Sequence, residues 1–207
     1  MSYRTLPRYA NSDLGEFRNL LFGYPIKPQS GAQTFGTLFH ALLLENKPDA
    51  ALTPARLKQA QTMRDAVLKN LTSRQLLELA SKEVVKIWDD DRTGLLCKAR
   101  LDLWEPDQAL IVDVKTTSCR TYGDFLNQCE QYDYDRQAAF YVDGSQARRY
   151  VILGVQKQAP FSVFYFEATA CRGCIEGGRK KYQALLKSIK EVGFQPTSWA
   201  SSIPSLV

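Results

Sequence analysis

Between Cys97 and Thr117 the chain reads CKARLDLWEPDQALIVDVKTT, and three of its side chains have the chemistry of a reactive site: Asp102, Asp113 and Lys115. Two carboxylates can hold a hard divalent cation through oxygen, and an ammonium beside them supplies positive charge and a transferable proton. The spacing predicts two strands with a short break, Leu95 to Trp104 and Ala109 to Thr116. Strand side chains alternate, so Asp113 and Lys115 share one face while Leu110, Val112 and Val114 face a core on the other. The same rule places Asp102 with Lys98 and Arg100, and Leu101 with Leu103 opposite. A D-x-K triplet alone is commonly no more than an ion pair on a surface strand. Here LIVDVK is apolar on both sides of Asp113, which predicts an interior strand, where ionised groups are costly unless paired or metal-bound.

Other candidates are more dispersed. His40 is the only histidine and follows Gly36 by one helical turn in GTLFHALLLE. Among leucines it reads either as a packed core residue or as a functional group with space left beside it by the glycine. Gln137 and Tyr141 are four apart on one face of a predicted helix. Glu83 opens a predicted strand, where it is either solvent-facing or a third carboxylate near the sheet end. Cys171 and Cys174 are a close pair, but a metal there would need two further ligands, and the sequence places none nearby. Cys97, Cys119 and Cys129 read as small packed side chains.

The elements that must position these groups follow from pattern. Residues 1–11 read as an irregular arm, Ser12 to Leu21 as a helix, and Phe22 to Gln33, with two prolines and two glycines, as a loop. A helix starts near Thr34 to Thr37 and runs through GTLFHALLLE. Two amphipathic helices follow, Ala55 to Lys69 and Arg74 to Ala80, the second capped by Ser73. A hairpin has strands at Glu83 to Trp88 and from Leu95, with the turn at Asp89 to Gly94. After Lys115 a polar connection, Thr116 to Asp133, leads to a helix over Tyr134 to Gln146. Strands at Tyr150 to Gln156 and Phe161 to Ala168 precede a last helix, Arg172 to Val192. That helix carries Arg179, Lys180, Lys181, Lys187 and Lys190, a basic face that is either solvated or in contact with phosphates. The expected fold is α/β, a mixed central sheet with helices on both faces and the site at one sheet edge.

The chain has 207 residues, 44% hydrophobic and 24% charged, with a formal charge of +5. This predicts a single domain over 1–207: an arm and helix over 1–33, a core over 34–168, and a C-terminal helix and tail over 169–207. The mild basicity permits a nucleic-acid partner without requiring one. With no bilayer-length apolar run and no secretory signal, a cytoplasmic location is expected. Five irregularly spaced cysteines argue against a disulfide framework.

In order, the candidates are Gly36–His40 on a helix, then Glu83, Asp102 and Asp113–Lys115 on strands, and Gln137–Tyr141 on a helix. This order resembles the PD-(D/E)XK nuclease superfamily, most closely the RecE (exonuclease VIII) type, with RecB-type nucleases as wider relatives. The segments GTLFHALLLE, DDDRTGLLCKARLD, IVDVKTT and DYDRQAAFYVDG carry the resemblance, which spans about Ser12 to Glu167. Leu101 stands where the superfamily's name places proline, and Asp113 where it often has glutamate. Iron–sulfur members have a cysteine before the histidine helix and three after the core. This chain has none before Cys97, so no such cluster is expected.

The resemblance implies a deoxyribonuclease that uses Mg²⁺, or Mn²⁺ in its place. Asp102 and Asp113 are the expected metal ligands, and the resemblance adds the Val114 carbonyl and His40, the latter as ligand or orienting group. Lys115 is expected to hold or deprotonate the attacking water. Gln137 and Tyr141 would position the substrate or the lysine, and Glu83 would reach a second metal through water. The implied substrate is linear duplex DNA, degraded from the 5′ end by a ring-shaped homo-oligomer alongside a single-strand annealing protein. Three alternatives stay open: a RecB-like nuclease or endonuclease acting with a partner, a non-catalytic DNA-binding module, and an α/β interaction protein with structural polar strands.

Overall fold

The computed structural model describes residues 3, 6–25, 30–47 and 53–200. Its strands are β1 (Ser81–Asp89), β2 (Leu96–Glu105), β3 (Leu110–Thr117), β4 (Arg149–Gln156) and β5 (Val163–Glu167). Its helices are α1 (Asn11–Leu21), α2 (Gly31–Leu44), α3 (Pro54–Lys69), α4 (Leu71–Leu79), α5 (Tyr122–Gln131), α6 (Tyr134–Ser145), α7 (Cys174–Val192) and α8 (Thr197–Ala200). The strands form one sheet in chain order, antiparallel except for the parallel pair β3 and β4. A parallel pair needs a long crossover, which α5 and α6 supply. The result is the expected mixed sheet with helices on both faces.

The sheet's two faces bury different sets. Leu110, Val112 and Val114 of β3 join Val151, Leu153 and Val155 of β4 against α2, α3 and α4. Ile111, Tyr150 and Ile152 face α1, α5, α6 and α7. Residues 110–114 of β3 are all buried, as an interior strand requires. Local signals set the helix starts. Ser30 and Gln33 form a reciprocal capping box on α2, and Thr53 caps α3 with Pro54 in its first turn.

Several boundaries differ from the sequence reading. α2 begins at Gly31, inside the expected loop, of which residues 26–29 lie outside those described. α4 is capped by Asn70, while Ser73 is buried and donates its hydroxyl to the Val67 carbonyl at 2.6 Å. The connection after Lys115 contains α5, capped by Thr121. Gly154 of β4 lets α5 sit close to the sheet, since a Cβ there would lie 2.5 Å from the Phe125 ring. The N-terminal arm is also less irregular than expected. Tyr9 pairs with β2, donating its N–H to the Leu96 carbonyl at 2.8 Å and accepting from Lys98 N–H at 2.9 Å.

The departure that matters most is in β2. Cys97, Ala99 and Leu101 face the side of α1, α6 and α7, but Leu103 faces the side of α2 to α4. Alternation therefore breaks at Asp102, and Leu101 and Leu103 do not share a face as the spacing predicts. Across from it, Glu83 has a left-handed backbone, φ +56°, and is skipped between the pairs Lys82–Leu103 and Val84–Leu101. β2 and β3 pair only over Leu103–Glu105 and Leu110–Val112, and beyond that they part. Tyr9 occupies the side of β2 that β3 leaves. The opening lies between the second and third of five strands, inside the sheet rather than at its edge.

Candidate active site

Asp102 sits where β2 and β3 separate. Its Oδ2 accepts the Val114 N–H at 2.8 Å, serving a β3 amide that has lost its β2 partner. The N–H and C=O of one strand residue project to the same side, so the Val114 carbonyl is aimed at the same gap. From α2, His40 brings Nδ1 to 3.5 Å from Asp102 Oδ2. One donor atom each from His40, Glu83 and Asp102 lie within 4.8 Å of one another. Glu83 reaches the group because its left-handed turn breaks the β1 alternation, and Arg100 Nε holds its Oε2 at 2.7 Å. Gly36 brings α2 against β3, with the Thr116 hydroxyl 3.5 Å from where a Cβ would lie, an ordinary contact.

One residue further along β3 the second half of the site begins. Lys115 Nζ lies 2.8 Å from Asp113 Oδ2 and donates to Gln137 Oε1 at 3.1 Å. Gln137 Nε2 donates to Asp113 Oδ1 at 2.7 Å, closing a three-membered ring of contacts. Gln137 projects from α6, and Tyr141 lies one turn on along the same helix, buried. Tyr150, fully buried on β4, faces Asp113 from below.

The two carboxylates are driven apart electrostatically. Burial pushes the Asp113 pKa up more than the adjacent Lys115 ammonium pulls it down. Burial acts on Asp102 too, but His40, Lys115 and the Val114 N–H together hold it below its ordinary value. Burial disfavours the imidazolium of His40, yet the Asp102 carboxylate outweighs it and the pKa rises. For Lys115 burial is likewise overcome, chiefly by Asp113, and the side chain is held firmly as an ammonium. The donor set of two carboxylates, one imidazole and a carbonyl on one side suits a hard cation such as Mg²⁺. The ammonium on the other side is placed to meet an anion.

The structure thus brings together His40, Glu83, Asp102, Asp113, Val114, Lys115, Gln137 and Tyr141. Lys98 does not join them. Its ammonium turns to the carbonyls of Tyr3 and Leu6, at 3.0 and 2.8 Å, because it precedes the break in alternation. The basic face of α7 is also largely engaged within the protein. Arg179 binds Asp143 through two bonds of 2.7 and 2.8 Å, Lys181 reaches Asp133 and Asp135, and Lys190 donates to the Thr93 carbonyl. One neighbour of the site was not singled out by spacing: the Tyr134 ring lies 4.9 Å from Lys115 Nζ. It is the first residue of α6, and its placement depends on α5, which has little apolar periodicity to announce it. A cleft of about 1800 Å³ runs over the site, bordered by His40, Arg100, Lys115, Arg120, Tyr132 and Tyr134 among others.

Residues 24–199 match the PDDEXK-like domain of unknown function (DUF3799). No curated protein matches the sequence. Among solved structures, a Eubacterium rectale protein assigned provisionally as an exonuclease is similar with a TM-score of 0.68 and 14% identity, over 96% of this chain and 83% of its own. A phage-related exonuclease from Haemophilus somnus 129PT gives 0.49 at 12% identity, over 92% and 98%. An alkaline exonuclease from Laribacter hongkongensis gives 0.43 at 12% identity, over 91% and 92%. The first likeness is one of fold, and the two weaker ones bear no weight below.

Proposed function

The chain belongs to the family of the PDDEXK-like domain of unknown function and has a PD-(D/E)XK nuclease fold, and on that footing we propose that it is a divalent-metal-dependent deoxyribonuclease hydrolysing linear duplex DNA from the 5′ end. One observation carries this reading. At the point where β2 and β3 part, the Asp102–Val114 bond joins a cation-binding group to the Asp113–Lys115–Gln137 group on the next turn of the strand.

The residues divide the work. His40, Glu83, Asp102 and the Val114 carbonyl would hold Mg²⁺, or Mn²⁺ in its place, and Asp113, whose oxygens meet Lys115 and Gln137, would complete the set from the other half of the site. A cation bound there supplies a water of lowered pKa and neutralises charge on the scissile phosphate. Lys115, kept protonated by Asp113, acts as a hydrogen-bond donor and positive charge rather than as a base. It orients the attacking water and offsets charge on the phosphoryl oxygens. Gln137 bonds both Asp113 and Lys115 and so fixes their relative position. Tyr141, buried one turn along α6 from Gln137, would help to position that amide.

Polarity is the part that geometry does not supply, and the reading of 5′ attack rests on the RecE resemblance. Among the described residues no base-reading element lines the cleft, which favours degradation without regard to sequence. A closed homo-oligomer around the DNA is part of the reading and rests on the same resemblance. Degrading the 5′ strand leaves a 3′ single strand, the substrate of an annealing protein, which would be the natural partner. Among the described residues no helix is long and apolar enough to cross a membrane, and we place the activity in the cytoplasm.

The test offers purified protein linear duplex, circular duplex and single-stranded DNA, each with Mg²⁺ or EDTA. Degradation of the linear duplex with Mg²⁺ is expected. Nicking of circles at a comparable rate would move the protein to an endonuclease reading. Sedimentation of the same sample as a monomer at micromolar concentration would remove the ring.

A further inference from the structure

The turn between α5 and α6 consists of Tyr132 and Asp133, with Tyr134 opening α6. Asp133 has a left-handed backbone, φ +52° and ψ +42°, a conformation aspartate tolerates better than most residues, and here its side chain is held from several sides. Cations from three helices surround its carboxylate. Arg18 of α1 and Lys181 of α7 pair with its carboxylate, the latter at 2.8 Å, and Arg136 of α6 lies 3.6 Å away. The turn is therefore held rigidly, and what it holds out is a pair of tyrosine rings with centroids 6.0 Å apart. They are not equivalent. Tyr134 is partly buried and one side of its ring is taken by the Lys115 ammonium. Tyr132 is 55% exposed and borders the same cleft as Lys115.

The Tyr132 ring leans on Tyr134 and turns the rest of its surface to the cleft, and amphipathic rings of this kind are enriched where a partner molecule is bound. In this cleft Lys115, Arg120 and Lys157 stand with Arg18 and Arg100, which are paired with Asp133 and Glu83, and cations outnumber carboxylates along the wall. A cationic groove with an aromatic platform is the composition that holds single-stranded nucleic acid, phosphates along the charges and a base on the ring. A paired base is unavailable to such a platform, since both its faces are already covered within the duplex. We propose that Tyr132, backed by Tyr134 and locked by Asp133, is a stacking subsite for an unpaired nucleobase next to the phosphate held at Lys115. The subsite rests on the nuclease reading above and deepens it: the strand enters the site frayed from its complement. Every base has a π-face, so the subsite selects strandedness without selecting sequence.

Two measurements test this. The first compares steady-state hydrolysis of linear duplexes whose terminal nucleotides are intact or abasic, by wild type, Tyr132→Ala and Tyr132→Trp. Stacking on one aromatic ring contributes enough to shift affinity about tenfold. Wild type is expected to show a KM about tenfold lower for intact ends, Tyr132→Ala to lose that difference, and Tyr132→Trp to keep it. The second reads binding without turnover, in EDTA: quenching of a single-stranded oligonucleotide carrying terminal 2-aminopurine, by the same three proteins. Quenching that is lost in Tyr132→Ala and kept in Tyr132→Trp supports the subsite even if wild type hydrolyses no DNA, in which case the nuclease reading fails alone. If wild type degrades DNA and Tyr132→Ala keeps both the abasic discrimination and the quenching, the subsite is wrong and the nuclease reading stands.

Discussion

Asp102 accepts the backbone N–H of Val114 at 2.8 Å, and this one bond ties the carboxylate of β2 to the strand that carries Asp113 and Lys115. The same oxygen faces His40 Nδ1 at 3.5 Å. Charge and anchorage are thus combined in one side chain, and substitution separates them. Asp102→Asn keeps an oxygen for the Val114 N–H and loses the charge. Asp102→Ala loses both. Both variants are expected to lower hydrolysis at least about a hundredfold, as loss of charge at a metal-supported site does. Only the alanine variant should also lose about 1–3 kcal/mol of stability in urea, the cost of a buried amide left unpaired. Equal stabilities for the two would mean that the Asp102–Val114 bond does not hold the strand.

His40→Ala tests whether the imidazole belongs to the site or to the core. The side chain is one-quarter exposed and lies at the end of a buried helix face, so its removal leaves the packing of Phe39, Leu42 and Leu43 in place. Cleavage is expected to fall about tenfold or more, with a higher Mg²⁺ concentration needed for half-maximal rate, and an unchanged thermal transition. Wild-type rate with a wild-type Mg²⁺ requirement would return His40 to an orienting or packing role.

Metal dependence follows from the donor set. Two carboxylates and one imidazole within 4.8 Å, with the Val114 carbonyl facing the same gap, favour a hard oxygen-liganded ion. Activity is expected with Mg²⁺ or Mn²⁺ and none in EDTA, restored when Mg²⁺ is added in excess. Full activity in EDTA would exclude this.

Away from the site, Asp143 ties α6 to α7 by accepting from both Arg179 nitrogens and from the Tyr182 hydroxyl at 2.6 Å. Burial would raise its pKa, but these donors prevail and hold it below the ordinary aspartate value. A carboxyl with a lowered folded pKa stabilises the protein fully above its unfolded pKa, about 3.9. That contribution is lost as pH falls through the lower folded value. Asp143→Asn should therefore be less stable than wild type at pH 7, by about 1–2 kcal/mol given the partial exposure of the pair. The gap should narrow below about pH 4. Urea midpoints at pH 7 and pH 3 measure it, and a gap independent of pH would show that the carboxylate charge is not what links the helices.

The sequence carried the fold class and most of the site because the signals were local. LIVDVK announces a buried strand, and the period of two puts Asp113 and Lys115 together without any knowledge of the fold. Gln137 and Tyr141 follow from helical spacing in the same way. Two features were not legible. The break in β2 alternation depends on the left-handed backbone of Glu83 in a different strand, and on β3 leaving β2 after three pairs. Neither is a property of the residues around Asp102, so Lys98 was assigned to the wrong surroundings and the site to a sheet edge. α5 was read as a polar connection because only Phe125 and Cys129 are buried along its length. Without α5, nothing places Tyr134 against Lys115 or Tyr132 at the cleft.

The central claim is hydrolysis of DNA at Asp113 and Lys115, and linear duplex labelled at either the 5′ or the 3′ end tests it most directly. With Mg²⁺, wild type is expected to release the 5′ label early as mononucleotide and to retain the 3′ label until late. Asp113→Ala and Lys115→Ala should release neither. Early release of the 3′ label would contradict the polarity. Wild-type rates in both variants would contradict the site itself.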